Sequence, residues 1–312
     1  MSTARQSFLE RIGAFRTALG EENLVSGEPA EIQRNNTARL LRNGLAVVGF
    51  AILEDFLRSR LAEILARVGN SHIPFDELPE PLRDAAVLGA ARALAHFGEL
   101  KRRQGEDYVS FVQNHSQLIA STVSSSYEIS GMALGWTGAN LSDGDIKEIM
   151  RAFRIKDGWG NIDIVAKRVG LASPSHREAF SQAAVRRHKA AHSARTDTEV
   201  SHLVSFVPQA IGIALGFDAL MSRSLKRLLE HDSAYLADSG QVQASDVQTR
   251  FIDPTACNWR EIKEGAKRAV SRGEVKEDLI KKCLARPDAR DDVVIVRDSS
   301  LRPSNWMIQN VA

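Results

Sequence analysis

Apolar residues recur every three or four positions through the first 236 residues, a spacing that predicts helix almost throughout. Leu9, Ile12, Phe15 and Leu19 share one face of a helix over 3–19. "GEPAEIQ" punctuates, and a long helix follows from about 30 to 67. Its stripe of Leu41, Leu45, Val48, Ile52 and Phe56 is expected to face inward, with Glu54, Arg58 and Arg60 elsewhere. "VGNSHIPFDELPEP" reads as a loop closed by prolines 74, 79 and 81, and Pro81 suits a first helical turn. Helices are then expected over 81–103 and 106–129. "LSDGDIKEIMRAF" opens with capping chemistry and acidic residues, the usual start of a helix. A short helix over 160–168 follows, and Ser175 can cap the next one. The last long helix, about 197–236, turns Val200, Val204, Val207, Ile211, Leu225 and Leu228 inward, with a kink or break at Pro208.

The pattern changes after "ADSGQVQASD". Residues 247–252 and 293–297 alternate like strands, "NWMIQNV" is a third candidate, and 258–284 reads as one or two helices. The expected fold is mainly α: an N-terminal helix (1–29), a helical domain (30–238) and a small C-terminal α/β module (245–312) behind a short linker.

Composition narrows this picture only a little. An apolar fraction of 43% and a charged fraction of 26% are those of a globular chain. A net charge of +2 puts any nucleic-acid binding on a local patch rather than the whole surface. Two cysteines, Cys257 and Cys283, match no zinc spacing, which points to a reducing compartment and a cytoplasmic protein. The N-terminus is too interrupted by charge for a signal peptide. "LVSFVPQAIGIALGFDALM" contains a proline, a glutamine and an aspartate, and reads as a buried helix rather than a membrane span.

The densest chemistry is "VRRHKAAHSARTD", residues 185–197. On a helix, Arg187, Ala191, His188 and His192 lie at roughly 0°, 40°, 100° and 140°, one arc with a small residue between the polar groups. The plainest reading is a solvated basic face. A second is metal binding, since His188 and His192 are spaced i, i+4 as in HExxH helices. Here the glutamate is missing and the neighbouring cations repel a metal ion. A third is metal-free phosphodiester chemistry, in which an imidazole moves the protons and a guanidinium grips the phosphate. Such cleavage needs both an acid and a base. Two copies of the helix across a two-fold axis would supply them.

"RRHKAAH" also resembles the arginine, polar residue (Asn, Asp or His), three variable residues, then histidine that marks the HEPN superfamily. The matching positions are Arg187, His188 and His192, and "NGLAVVGFAILEDFLRSRLAEIL" resembles the family's long first core helix. The likeness spans residues 30–236 and is closest to the RiboL-PSP-type branch. It implies a HEPN-like helical bundle acting as a metal-independent endoribonuclease, without cofactor, at the composite cleft of a homodimer. It further implies a toxin–antitoxin or antiviral defence setting, with a cognate antitoxin or defence-system partner. By the same resemblance His192 is the acid–base group, Arg187 the phosphate clamp and His188 a positioning residue. Ser193 stands where this branch often has glycine. Some HEPN proteins are catalytically silent binding modules (antitoxins or nucleotide- or RNA-sensing partners), and that reading stays open at this point.

Other residues invite a bland reading beside a functional one. Arg186 and Lys189 extend the substrate-binding surface or are simply solvated charge. Glu54 orients a basic group of the site or salt-bridges Arg58; the spacing favours the salt bridge. His72, His96, His115, His176 and His202 are isolated and read as structural or exposed, and Trp136 and Trp159 as packing residues. Asp253, Glu261 and Lys263 resemble the acidic and ExK elements of metal-dependent nucleases, against which stands the helix expected at 261–263.

Overall fold

The computed structural model describes residues 2–135, 140–193 and 195–309. Helices come first: α1 (Thr3–Ala18), α2 (Ile32–Gly69), α3 (Glu80–Asp84), α4 (Ala90–Gln104), α5 (Tyr108–Ser121), α6 (Asp143–Ala152), α7 (Gly158–Arg168), α8 (His176–His192), α9 (Val200–Leu229) and α10 (Ser233–Leu236). Then come β1 (Gln248–Pro254), β2 (Trp259–Lys263), β3 (Ser271–Gly273), α11 (Lys276–Leu284), β4 (Asp292–Arg297) and β5 (Pro303–Ile308). The chain is thus mainly α with a small C-terminal mixed sheet.

Local chemistry sets the helix ends. Side chains of Ser2, Asp107 and Ser175 accept from the backbone of Arg5, Ser110 and Glu178, while Ser142 and Asp145 form a capping box on α6. Gly105, at φ 74°, ends α4 in the left-handed conformation that glycine adopts without strain. Over Ala85–Gly89 a π turn joins α3 to α4. α5 ends at Ser121, eight residues short of the expected 129.

α2 is the spine, with α1, α8 and α9 packed along it. Phe8 meets Phe56 at 4.9 Å, Phe15 meets Phe206 at 6.1 Å and Phe50 meets Phe180 at 5.2 Å. Ile52 and Phe56 are buried as expected, but over the first half of α2 the buried face is rotated from the expected stripe. Ala38, Arg42, Ala46, Gly49, Leu53 and Leu57 are buried, whereas Leu41 and Val48 are exposed. Gly49 explains part of the rotation, because a Cβ there would stand 2.9 Å from the Phe15 ring. Reading apolarity alone assigns Arg42, Asn43 and Gly49 outward, and they face inward.

α9 runs through Pro208 without a break, and its apolar run is buried in the core. Proline removes one hydrogen bond, and the packing of Val207 and Ile211 on either side holds the helix. Leu225 and Leu228 are buried as expected, but Val204 is exposed.

The sheet has the order β3-β2-β1-β4-β5, with β1 and β4 parallel and the other pairs antiparallel. The helices expected over 258–284 are corrected to a β-hairpin followed by α11. Alternation of Trp259, Glu261 and Lys263 with Arg260 and Ile262 has the two-residue period of a strand, masked by its charge. One sheet face, through Phe251, Val293, Ile295 and Trp306, belongs to the same core as α1, α2 and α9, and so does the N-terminal helix.

At the junction lies Asp218 of α9, with no exposure. Arg5 Nε donates to it at 2.9 Å, Arg60 Nε at 2.7 Å, Ser222 Oγ at 3.1 Å and Trp306 Nε1 at 2.7 Å. Burial pushes this carboxyl up, but the charges of Arg60 and Arg5 and the bonds from Trp306 and Arg60 outweigh it, holding the group well below the carboxylate range. Trp306 also packs on Phe8 and Phe56 at 6.1 and 6.2 Å. One charge therefore ties α1, α2, α9 and β5 together.

Candidate functional site

α8 begins at the Ser175 cap and is anchored by Phe180 and Ala183, which are buried against α2 and α7. From Phe180 the helix runs antiparallel to α2, so its last turns reach the level of Arg42 and Asn43. His188 and His192 both sit on the exposed side, their ring centroids 4.7 Å apart at 50°. Arg187 is half-buried one step round the helix and has no ion pair or hydrogen bond among the described residues. The structure thus brings Arg187, His188 and His192 onto one accessible arc, with exposed Ala191 between them. Lys189 is exposed beyond the arc.

Arg186 and Glu54 are placed differently. Arg186 points to the other flank of α8, into a hollow lined by Phe15, Phe50, Phe206 and His202. Burial there lowers its guanidinium pKa. It is a helix-packing cation and not part of the histidine arc. Glu54 accepts from the backbone N–H of Leu141 at 2.7 Å and pairs with Arg58 at 3.0 Å. It lies one turn beyond Phe50, near the start of α8, and His192 is twelve residues past Phe180, about 18 Å along the helix. The Arg58 salt bridge that the spacing favours is present, and the same carboxylate holds the segment leading into α6 instead of orienting a group of the arc.

Two residues that the sequence reading passed over fix the end of the motif helix. Arg42 Nη2 pairs with Asp197 at 2.6 Å, while its Nη1 donates to Leu24 O at 2.7 Å. Asn43 Nδ2 donates to Thr196 O at 2.6 Å, and its Oδ1 accepts from Thr198 N and Oγ1 at 3.2 and 3.0 Å. Thr196 Oγ1 in turn donates to Lys189 O at 3.3 Å. Together they clamp residues 196–198 to α2 and so set where His192 emerges. Their signal was visible as an Arg–Asn pair inside the apolar repeat of α2, a polar investment that a plain core helix does not need.

The remaining histidines are structural or peripheral. His176 is fully buried, its Nδ1 2.6 Å from Asp163 Oδ1, and it joins α8 to α7. His115 lies 3.2 Å from Ser130 Oγ, and burial lowers its pKa. His96 packs on Phe97. His72 is exposed in the loop after α2, and His202 is exposed on the first turn of α9. Trp159 is a packing residue, 5.7 Å from Phe180 with Nε1 donating to Asp143 O; Trp136 lies outside the described residues.

The nuclease-like residues of the sheet do not converge. Glu261 and Lys263 are on a strand after all, but Glu261 faces Ile252 across the β1–β2 ladder while Asp253 faces Arg260. Adjacent positions on β1 point to opposite faces, so Asp253 and Glu261 lie on opposite sides of the sheet. Each carboxylate is taken by arginines: Asp253 by Arg297 at 2.6 and 2.7 Å, Glu261 by Arg250 at 2.6 Å and Arg286 at 2.8 Å. A cleft of about 1140 Å³ is also elsewhere, opening at the other end of α8 beside Ser175 and Arg177. No family model, curated protein or solved structure matches this chain, so its function has to be argued from the geometry.

Proposed function

We propose that this chain is a HEPN-type, metal-independent endoribonuclease built around Arg187 and His192. The observation that carries the reading is the arc on α8: a half-buried guanidinium with no ion pair among the described residues, beside two accessible imidazoles, on a helix whose end is clamped by Arg42 and Asn43. In the proposed reaction His192 takes the proton of an RNA 2′-hydroxyl as that oxygen attacks the adjacent phosphorus. The second copy's His192 gives a proton to the departing 5′-oxygen. The P–O5′ bond breaks, leaving a 2′,3′-cyclic phosphate and a 5′-hydroxyl, and the proton balance closes across the two copies. Arg187 binds the non-bridging oxygens as charge builds on them, and His188 holds His192 or the substrate in place.

A homodimer is part of the proposal because one chain presents a single such arc. The outer faces of α2 and α8 support it: Leu40, Val48 and Val185 are 73%, 51% and 46% exposed, apolar positions suited to burial against a second copy. We place the activity in the cytoplasm, in a toxin–antitoxin or antiviral defence setting where a cognate partner restrains it.

The test is cleavage of single-stranded RNA by the purified protein in EDTA, with product ends identified by mass spectrometry. Cyclic phosphate ends, lost in both His192→Ala and Arg187→Ala while folding and oligomeric state are unchanged, are the expected result. Activity that survives both substitutions would overturn the proposal.

A further inference from the structure

A second cavity, about 390 Å³, lies between the end of α1, the Pro208 region of α9 and the β4–β5 hairpin. This is within the size range of small-molecule sites. Its floor is apolar, formed by Leu19, Leu171, Val207 and Ile211, and its rim carries Arg16 and Arg302. Both guanidiniums are on exposed residues and have no ion pair among the described residues. The carboxylate among the described lining residues, Asp298, is occupied by its own turn: Oδ1 accepts from Ser300 N at 2.9 Å and Arg302 N at 3.0 Å.

One backbone feature adds to this. Leu301, next to Arg302, has φ 58°, a left-handed conformation that is strained for a branched side chain. The turn that carries Arg302 to the rim is thus held against its own local preference.

We propose that this cavity binds a small organic anion with an apolar body, an acyl or aryl carboxylate. The apolar floor takes the hydrocarbon, and Arg16 and Arg302 take the carboxylate by charge-assisted hydrogen bonds. The site is independent of the Arg187–His192 arc and stands whether or not the chain cleaves RNA.

The probe is octanoate, titrated calorimetrically into the full-length protein beside octylammonium, which has the same tail and the opposite charge. Octanoate is expected to bind and octylammonium not to. Arg302→Gln and Arg16→Gln should each weaken octanoate about tenfold, the loss of one charge-assisted bond. Val204→Trp, at an exposed wall position that folding tolerates, should abolish binding by filling the space. No octanoate binding, equal binding of octylammonium, or binding unchanged in all three variants would each overturn the proposal.

Discussion

Asp218→Asn offers the sharpest test of how the fold is held together. The carboxylate is the counter-charge of two buried guanidiniums, Arg5 and Arg60, which are 3% and 1% exposed. Removing the charge while keeping the shape leaves Arg60 with Glu63 at 2.8 Å and Ser222 at 3.0 Å. Arg5 fares worse, since its Nη2 already has no hydrogen-bond partner among the described residues. Breaking a buried ion pair from one side costs about 3–5 kcal/mol, and with two cations affected a loss of about 4 kcal/mol or more is expected. At a urea slope of about 3 kcal/mol/M the unfolding midpoint drops by more than ~1 M. Trp306→Phe, which removes one donor to the same carboxylate and keeps a ring, should lose only about 2 kcal/mol. The sign with pH follows from the depressed carboxyl: its contribution is complete above the unfolded carboxylate range near 4 and is lost as pH falls through the folded value. Urea melts followed by circular dichroism at pH 7 and pH 3 measure both. An Asp218→Asn midpoint within ~0.3 M of wild type at pH 7 would refute the reasoning.

Two further outcomes are expected. Asn43→Ala leaves Thr198 N and Thr196 O without their side-chain partner; it should cost about 2 kcal/mol in urea melts and lower RNA cleavage more than the stability loss explains, because residues 196–198 position the end of α8. Unchanged cleavage kinetics would show that the clamp does not serve the site. Burial, then the neighbouring Glu261 charge, pushes the Cys283 thiol up to about 12, whereas Cys257 is exposed, so a thiol-specific reagent at pH 8 should modify one cysteine in the native protein and two in urea. Rapid native modification of both would contradict the buried placement.

Much of this was legible beforehand because helix caps and 3.6-residue spacing are local signals. Ser175, Ser142 and the proline loop before α3 speak through their own neighbours, and the structure finds helices where those signals place them. Misreadings came where tertiary context overrides local pattern. α2 buries Arg42 and Asn43 because residues 155 positions away bind them, and Gly49 because the Phe15 ring of α1 closes on it, which no window of sequence reveals. β2 looked helical because it is charged, and its buried charge, Glu261, is satisfied by Arg250 of β1 and by Arg286 just past α11 rather than by water. At the site, the arc of Arg187, His188 and His192 follows from helical geometry alone. The inward turn of Arg186 depends on how α1, α2 and α9 meet around it, which spacing does not encode.

The tie between Asp218 and Trp306 also has a consequence for how the molecule is made. The two residues are 88 positions apart, and at about 5–20 residues per second a ribosome needs roughly 4–18 s to travel from one to the other. Throughout that interval Phe8 and Phe56 lack the indole that covers them, and the buried carboxylate is one donor short. β5 works as a clock on biogenesis: a nascent chain that has not yet reached it stays unsealed around Asp218, exposed to proteases and chaperones until Trp306 arrives.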